Sequence, residues 1–462
     1  AYMEQAHFET SHLQYNDENA LSYTVSLALY AARNFYQVYR EFPSGSGFAD
    51  IVYLPRKGFL DKPALIVELK WNKSAEGAIQ QILKKQYFQN LEDYSGNMLL
   101  VGINYDLKTR KHECKILEFK KYKNIIFLVL DGLGEHILNN ISKDGFLKNN
   151  QIDCVTSVYP STTTAALTTY YSGKSPYETG WIAWSQYFKE YGRAIDMLSH
   201  KESYMREPLK NPNLDVFKDV VHYESIYERI EEASPNVKAY EIQPDYAERR
   251  AKRSIRANNI DELIMNIEDL CQKQDNNFIF AYSDNPDGLL HKYGTDSEEV
   301  KTFVKEAEEK IQKMCNNFDD DTILIISADH GHKNIEKSYT LLDYPEIQEC
   351  LIMPASLESR VLTFWVKEDM KEIFVKRFNK IFEKEFWLMT KEEFLDKYHF
   401  LGYGDKHYKI DDFIGNFVAL SVAGSMIRLE TFLIEGKPIK KSTHCGLSKE
   451  EMEVPVIIYK KG

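Results

Sequence analysis

The sequence predicts an α/β protein of two units: a small unit of mixed strands and helices, then a larger one built on a mostly parallel central sheet flanked by helices. Three observations carry that expectation. Residues 124–130, 277–282 and 322–327 are continuous apolar runs of the kind buried on both faces of a parallel sheet, and each ends in a polar cluster containing Asp. The 462 residues exceed what one ordinary core accommodates. The residue pattern changes near Lys121, with no Gly/Ser/Pro linker, so the units are expected to span 1–120 and 121–462.

In chain order, residues 18–39 have helical periodicity, with Leu21, Val25, Leu29 and Ala32 on one side. Residues 48–54 and 64–70 are apolar, β-branched runs bounded by Gly and Pro and read as strands. Ser74 is a helix cap with Glu76 in the first turn, which predicts a helix over 74–91. Two further strands are expected at 97–104 and 112–119. In the second unit the three apolar runs are joined by a last one, Val454–Tyr459. Residues 181–275 and 333–440 hold no metal-ligand match and are expected to form substrate-facing loops and a cap. Among them Trp181, Trp184, Tyr187 and Phe188 suit either a core or a base-stacking wall.

Charge narrows the function. Residues 1–120 carry 14 basic and 14 acidic side chains, so the net charge of −12 belongs wholly to the remainder. An acidic unit is a poor general binder of polyanions, and any phosphate it handles needs a bound cation or a local basic pocket. No apolar run reaches the ~18–20 residues of a membrane span, and no signal peptide opens the chain. The six cysteines form no C-x-x-C pair. A cytoplasmic protein with reduced thiols and no membrane partner is expected.

The chemistry sits at the strand ends, where ligands gather in open α/β sheets. Asp131 follows the first run, Thr163 lies in a Ser/Thr cluster after Pro160, Asp287 and His291 follow the second, Asp329 and His330 follow the third, and His444 precedes the last. Carboxylate and imidazole together suit Zn²⁺ and similar cations, and the four-residue spacing of Asp287 and His291 puts both on one side of a helix. Taken singly, Asp-Gly is an ordinary turn, a Ser/Thr run an ordinary helix cap and Asp-His-Gly an ordinary loop. Their joint placement after buried strands is what points to a site.

These residues carry a likeness. LVLDGLG at 128–134, YPSTTTAALTTYYSGKSP at 159–176, PDGLLHKYG at 286–294, ADHGH at 328–332 and THCGLSKEEMEVPVII at 443–458 resemble the alkaline phosphatase superfamily, in its nucleotide pyrophosphatase/phosphodiesterase-like branch. The resemblance implies an alkaline-phosphatase-like sheet and two divalent ions, zinc first with manganese as the alternative. One ion would be held by Asp131, Thr163, Asp329 and His330, the other by Asp287, His291 and His444. Thr163, three residues after Pro160, takes the nucleophile position, with Thr162 as nearest rival. A phosphothreonine intermediate and a nucleotide-like phosphodiester or pyrophosphate substrate follow, with a phosphomonoester as the alternative. Ala166 stands where the family pattern usually has a phosphate-holding Asn, and Thr179-Gly180 where it often has His-Gly. A phosphomutase would need a Ser-type nucleophile and a sulfatase a Cys or Ser converted to formylglycine, and no Cys lies at 161–164.

In the first unit Asp50 lies on one strand and Glu68-Leu-Lys70 on the next, so three polar groups share a sheet face. The charges fall in an otherwise buried strand, where unpaired they are costly. HLQYNDENALS at 12–22, REFPSGSGFADIVYLPRKG at 40–58, PALIVELKWNKSAEGAIQQI at 63–82 and LLVGINYD at 99–106 are similar to a PD-(D/E)XK nuclease-fold domain of the type found behind AAA-type ATPases in bacterial proteins. The resemblance implies a restriction-endonuclease-like fold over 9–118, catalytic Asp50, Glu68 and Lys70, a bound Mg²⁺, auxiliaries Glu18 and Gln81, and nucleic acid as partner. No P-loop occurs in the chain, so the ATPase half is missing. A non-catalytic, partner-binding role for this unit is the competing expectation.

Overall fold

The computed structural model describes residues 17–94, 97–119, 122–203, 207, 209, 216–247, 249–429 and 439–461. The chain divides into two compact units, Ala1–Lys121 and Tyr122–Gly462. Residues 12–16 of the first nuclease-like stretch, and Lys120 and Lys121 at the change of pattern, lie outside the described residues.

The first unit is a five-stranded sheet in the order Tyr36–Ser44, Gly47–Pro55, Ala64–Trp71, Met98–Asp106, Lys111–Phe119. Only the pair Ala64–Trp71 with Met98–Asp106 is parallel, and the helix Ala75–Lys85 supplies the crossover that such a pair requires. Ser74 caps that helix by accepting the Gly77 amide, and Gln86 ends it in a left-handed conformation, short of the predicted residue 91. The first helix likewise stops early, at Ala28, and residues 36–39, predicted as its continuation, form a strand. The reason is the aromatic and β-branched composition of Tyr36-Gln-Val-Tyr, which pairs in antiparallel register with Tyr53 and its neighbours. Tyr36 packs edge-on against Tyr53, with ring centroids 6.0 Å apart.

The second unit has a seven-stranded sheet in the order Arg253–Arg256, Val237–Gln243, Asn276–Ser283, Asn124–Leu130, Thr322–Ser327, Glu453–Lys460, Gln151–Thr156. The first five strands are mutually parallel; Glu453–Lys460 is added antiparallel to them, and Gln151–Thr156, antiparallel to Glu453–Lys460, runs in the direction of the five. The three predicted apolar runs are the adjacent central strands, so their carboxyl ends lie side by side. Residues 181–275 do more than form loops: two strands of this sheet and the helix Ile260–Cys271 come from them. A second, separate seven-stranded sheet gathers Ser185–Phe188, Arg193–Asp196 and Lys201–Glu202 with Ser356–Leu357, Val361–Phe364, Phe386–Thr390 and Phe417–Ser421. Its own core includes Trp181 and Phe188, both buried, whereas Trp184 is only half-buried. The six cysteines are unpaired, and among the described residues no helix is long and apolar enough to cross a membrane.

Candidate metal and phosphoester site

Asp131 leaves its strand through Gly132, whose φ of +78° favours glycine. A Cβ there would meet Leu290, Asp287 and His332 at 3.1–3.2 Å, so this turn admits little else. Backbone bonds tie the strand ends together: the Asp131 amide donates to the Ser283 carbonyl and the Asp287 amide to the Asp131 carbonyl, both at 3.0 Å. Asp287 opens the helix Asp287–Tyr293, which puts His291 one turn on. Thr163 is the first residue of the ten-residue helix Thr163–Ser172.

These elements bring every predicted second-unit ligand to one place. The Thr163 hydroxyl lies 3.4 Å from Asp131 Oδ2 and 3.3 Å from His330 Nε2. His330 Nε2 in turn stands 3.4 Å from Asp131 Oδ1 and 3.4 Å from Asp329 Oδ2. On the other side, Asp287 Oδ1 lies 3.4 Å from His291 Nε2 and 3.8 Å from His444 Nε2. Asp287 belongs to both groups of ligand atoms: one combines it with Asp131 and His330, the other with His291, His332 and His444. The rival hydroxyl of Thr162 points elsewhere and donates to Glu358 Oε1 at 2.8 Å.

The site is largely buried and electrostatically unbalanced. Asp131, Thr163, Asp329, His330, His332 and His444 are all buried. Burial, then the neighbouring Asp329 and Asp287, push the Asp131 carboxyl well above the ordinary range. Burial also works against ionised Asp287, but His291, His332 and His444 outweigh it and hold that carboxyl well below. Burial works against the charged forms of three of the imidazoles in turn: His291 falls to about 3, and His332 and His444 are also lowered.

Does this donor set fit cations? Asp131 Oδ1 and Asp329 Oδ2 are buried with no hydrogen-bond partner among the described residues. His291 Nδ1 lies 2.8 Å from the Ser442 carbonyl, His444 Nδ1 2.9 Å from that of Ser161 and His330 Nδ1 3.1 Å from that of Gly331. Those carbonyls fix the proton on Nδ1, so three Nε2 lone pairs converge beside orphaned carboxylate oxygens. The set fits.

His332 is the residue that sequence reasoning passed over. Its Nδ1 lies 3.0 Å from Ser442 Oγ, whose own proton goes to the Leu290 carbonyl, and its Nε2 lies 2.7 Å from Asp287 Oδ1. Its signal is the second His of Asp-His-Gly-His, to which the family likeness assigns no ligand role. Three further residues gave no signal at all: Glu358, Lys440 and Tyr282, whose hydroxyl donates to Asp131 Oδ2. Lys440 Nζ reaches His291 Nε2 at 3.0 Å. Burial and the nearby Asp196 push the Glu358 carboxyl up to about 7 despite the Trp184 amide, Thr162 and Lys440, which pull the other way. Ala166 sits buried on the helix that begins at Thr163, and Gly180 is closed in by the His407 ring.

In the first unit, Asp50 lies one position beyond the Ile51–Val67 pair and accepts the Leu69 amide at 2.7 Å. Glu68 accepts Lys70 Nζ at 2.8 Å and the Gln81 amide, while its Oε2 is buried without a hydrogen-bond partner among the described residues. Burial lifts Glu68 to about 7; the Lys70 hydrogen bond opposes this and Asp50 adds to it. Asp50 is raised as well, mainly by burial, with Glu18 contributing through its charge. Asp50, Glu68, Lys70 and Gln81 therefore meet, and Glu18 lies near enough to be felt.

Residues 18–115 match the PD-(D/E)XK nuclease superfamily. A comparison with curated proteins finds no match. Among solved structures, the chain is similar to murine ectonucleotide pyrophosphatase/phosphodiesterase 5, in an inactive form in complex with AMP. The two share 14% identity with a TM-score of 0.54, over 73% of this chain and 87% of that one. The human counterpart is similar at 13% identity and 0.54, over 72% and 87%. Phosphonoacetate hydrolase from Sinorhizobium meliloti 1021, in complex with phosphonoacetate, gives 14% and 0.54, over 74% and 91%. At these identities the likeness establishes the fold. Residues 125–430, two-thirds of the chain, match type I phosphodiesterase / nucleotide pyrophosphatase, and the chain thus belongs to that family of phosphoester hydrolases.

Proposed function

We propose that the second unit hydrolyses nucleotide-like phosphodiesters or pyrophosphates, with Thr163 as nucleophile and two bound divalent cations. The carrying observation is the Thr163 hydroxyl at a helix start, within 3.4 Å of Asp131 and His330 and beside two orphaned carboxylate oxygens. Asp131, Asp329, His330 and Thr163 would hold one ion and Asp287, His291 and His444 the other, with His332 at Asp287 Oδ1. The mixed imidazole and carboxylate set suits zinc first and manganese second. Such ions, when bound, lower the cost of the alkoxide and of the charge developing on phosphoryl oxygens.

The chain's own groups do the rest. Thr163 Oγ1 forms a bond to phosphorus as the bond to the leaving oxygen breaks, giving a phosphothreonine and, after proton uptake, an alcohol or nucleotide. The amides of the first helical turn and the helix dipole favour the anion at Thr163. Water then attacks the phosphothreonine, the P–Oγ1 bond breaks and the hydroxyl regains a proton. The AMP bound by the murine relative supports a nucleotide substrate. For the first unit, the carboxylates of Asp50 and Glu68 would hold Mg²⁺ and Lys70 would orient water for cleavage of nucleic acid.

The test is metal content together with hydrolysis of p-nitrophenyl phosphate against its bis-ester. The bis-ester is the expected better substrate, and Thr163→Ala lowers kcat by about 10³-fold or more while the protein keeps its metal. Rates unchanged in that variant would remove Thr163 from the nucleophile role.

A further inference from the structure

The segment that carries His444 is gripped on both sides. Before it, Ser442–Thr443 pairs antiparallel with Lys333–Asn334. After it, the Gly446 amide donates to Glu451 Oε1 at 2.7 Å and the Leu447 amide to the Ser421 carbonyl at 3.1 Å. Glu451 is itself fixed by Arg360, fully buried, whose Nε and Nη2 donate to its two oxygens at 2.6 and 2.8 Å. With the backbone held, the direction of the Nε2 lone pair is decided by rotation of the imidazole about its side-chain bonds.

The next residue is held against its backbone preference. Cys445 has a φ of +80°, in the left-handed region where a side chain is strained and glycine is the usual occupant. Such strain persists where the surroundings over-determine it. Here the thiol is buried in the apolar cluster that contains Tyr159, Trp181 and Ile182. Its Sγ lies 3.0 Å from His444 Nδ1, and it donates to the Ser161 carbonyl at 3.4 Å. The same carbonyl takes the His444 Nδ1 proton at 2.9 Å, and Ser161 stands two residues ahead of Thr163. Imidazole edge, thiol and carbonyl thus close a triangle between a ligand of one ion and the segment that carries the nucleophile.

We propose that Cys445 is a positioning residue: its thiol holds the His444 imidazole against the Ser161 carbonyl, so that Nε2 stays gathered with the donor atoms of Asp287 and His291. The assignment rests on the reading of His444 as a ligand of the second ion and adds a residue that acts through it. Glycine at this position would relieve the backbone and lose the contact, which separates strain from positioning by experiment.

Zn²⁺ binding to the full chain, read by competition with a chromogenic chelator, and melting in excess chelator test the assignment together. Cys445→Ala keeps the strain and loses the thiol, Cys445→Gly loses both, and Cys445→Ser keeps a donor. Affinity for the zinc ion that His444→Ala weakens is expected to fall by about tenfold in Cys445→Ala and Cys445→Gly alike, and to return to within about threefold of wild type in Cys445→Ser. Melting separates the first two, with Cys445→Gly above Cys445→Ala in chelator. If the alanine variant does not fold, the glycine and serine variants carry the comparison. Wild-type zinc affinity in Cys445→Gly overturns the assignment and leaves the Ser161 carbonyl to hold the ring alone. Affinity that follows the melting order across the variants also overturns it, since packing alone would produce that. Unchanged zinc affinity in His444→Ala overturns the metal reading of His444, and the role of Cys445 with it.

Discussion

Asp131 and the imidazoles around it make opposite demands on pH, and the metal-free protein should show both. A carboxyl raised on folding contributes stability that is present below its unfolded value of 3.8 and is lost as pH rises through its folded value. Imidazoles lowered on folding behave in the contrary sense, since stability falls once pH drops below 6.5 and the unfolded chain binds protons that the native site refuses. In excess chelator, Asp131→Asn is therefore expected to melt higher than wild type at pH 8, by on the order of 2 °C or more, with the gap closing towards pH 4. Melting curves with and without metal check this; a variant less stable than wild type in chelator at pH 8 contradicts it. His332→Ala deletes the 2.7 Å contact to Asp287 and the bond to Ser442. Metal affinity should fall by about 10–100-fold in a competition titration, and an unchanged affinity would make His332 a packing residue only. Asp131, Asp287, Asp329 and His330 were legible because each follows an apolar run by a few residues, His291 by its four-residue spacing from Asp287, and Thr163 and His444 through the motifs that carry the family likeness. Glu358 and Lys440 were not, because they arrive through the turn of a second sheet and the stretch before His444, where no local pattern marks them.

At the scale of elements, the site depends on three parallel strands ending level and on one tight turn. Those strands could be read from composition alone, since burial on both faces writes an unbroken apolar run. The second sheet left no such trace: its strands are two to five residues long and come from segments scattered between 185 and 421. Its pairings are long-range, and no local periodicity encodes them. Residues 36–39 carry a helical spacing for a related reason: it continues that of the preceding helix, and only the pairing of Tyr36–Ser44 with Gly47–Pro55 decides the matter. Gly132 tests the turn. An added methyl group meets backbone of Asp287 and the ring of His332 at 3.2 Å, at a φ that disfavours any Cβ. Gly132→Ala should destabilise the protein by about 1–3 kcal/mol and lower metal occupancy as Asp131 and Asp287 separate. Wild-type melting and wild-type metal content would show that the turn tolerates the change.

For the whole molecule, charge and site composition divide along the same line. Residues 1–120 are neutral, while the remainder carries 44 basic against 56 acidic side chains. That excess disfavours a polyanion at the second unit and leaves small phosphoesters, whose charge the two cations would neutralise locally. The groups named for each site also come from one stretch of chain. Asp50, Glu68, Lys70 and Gln81 all precede residue 121, and every group around Thr163 follows it. Two such sites need share no catalytic group, so their activities should separate by single substitution in the full chain. Glu68→Ala removes the carboxylate that Lys70 and Gln81 both address, and any cleavage of nucleic acid is expected to vanish, while hydrolysis of bis(p-nitrophenyl) phosphate stays within about twofold of wild type. Thr163→Ala should do the reverse. Cleavage that survives Glu68→Ala would leave the first unit with a binding role, and loss of both activities in either variant would mean that the two sites act as one.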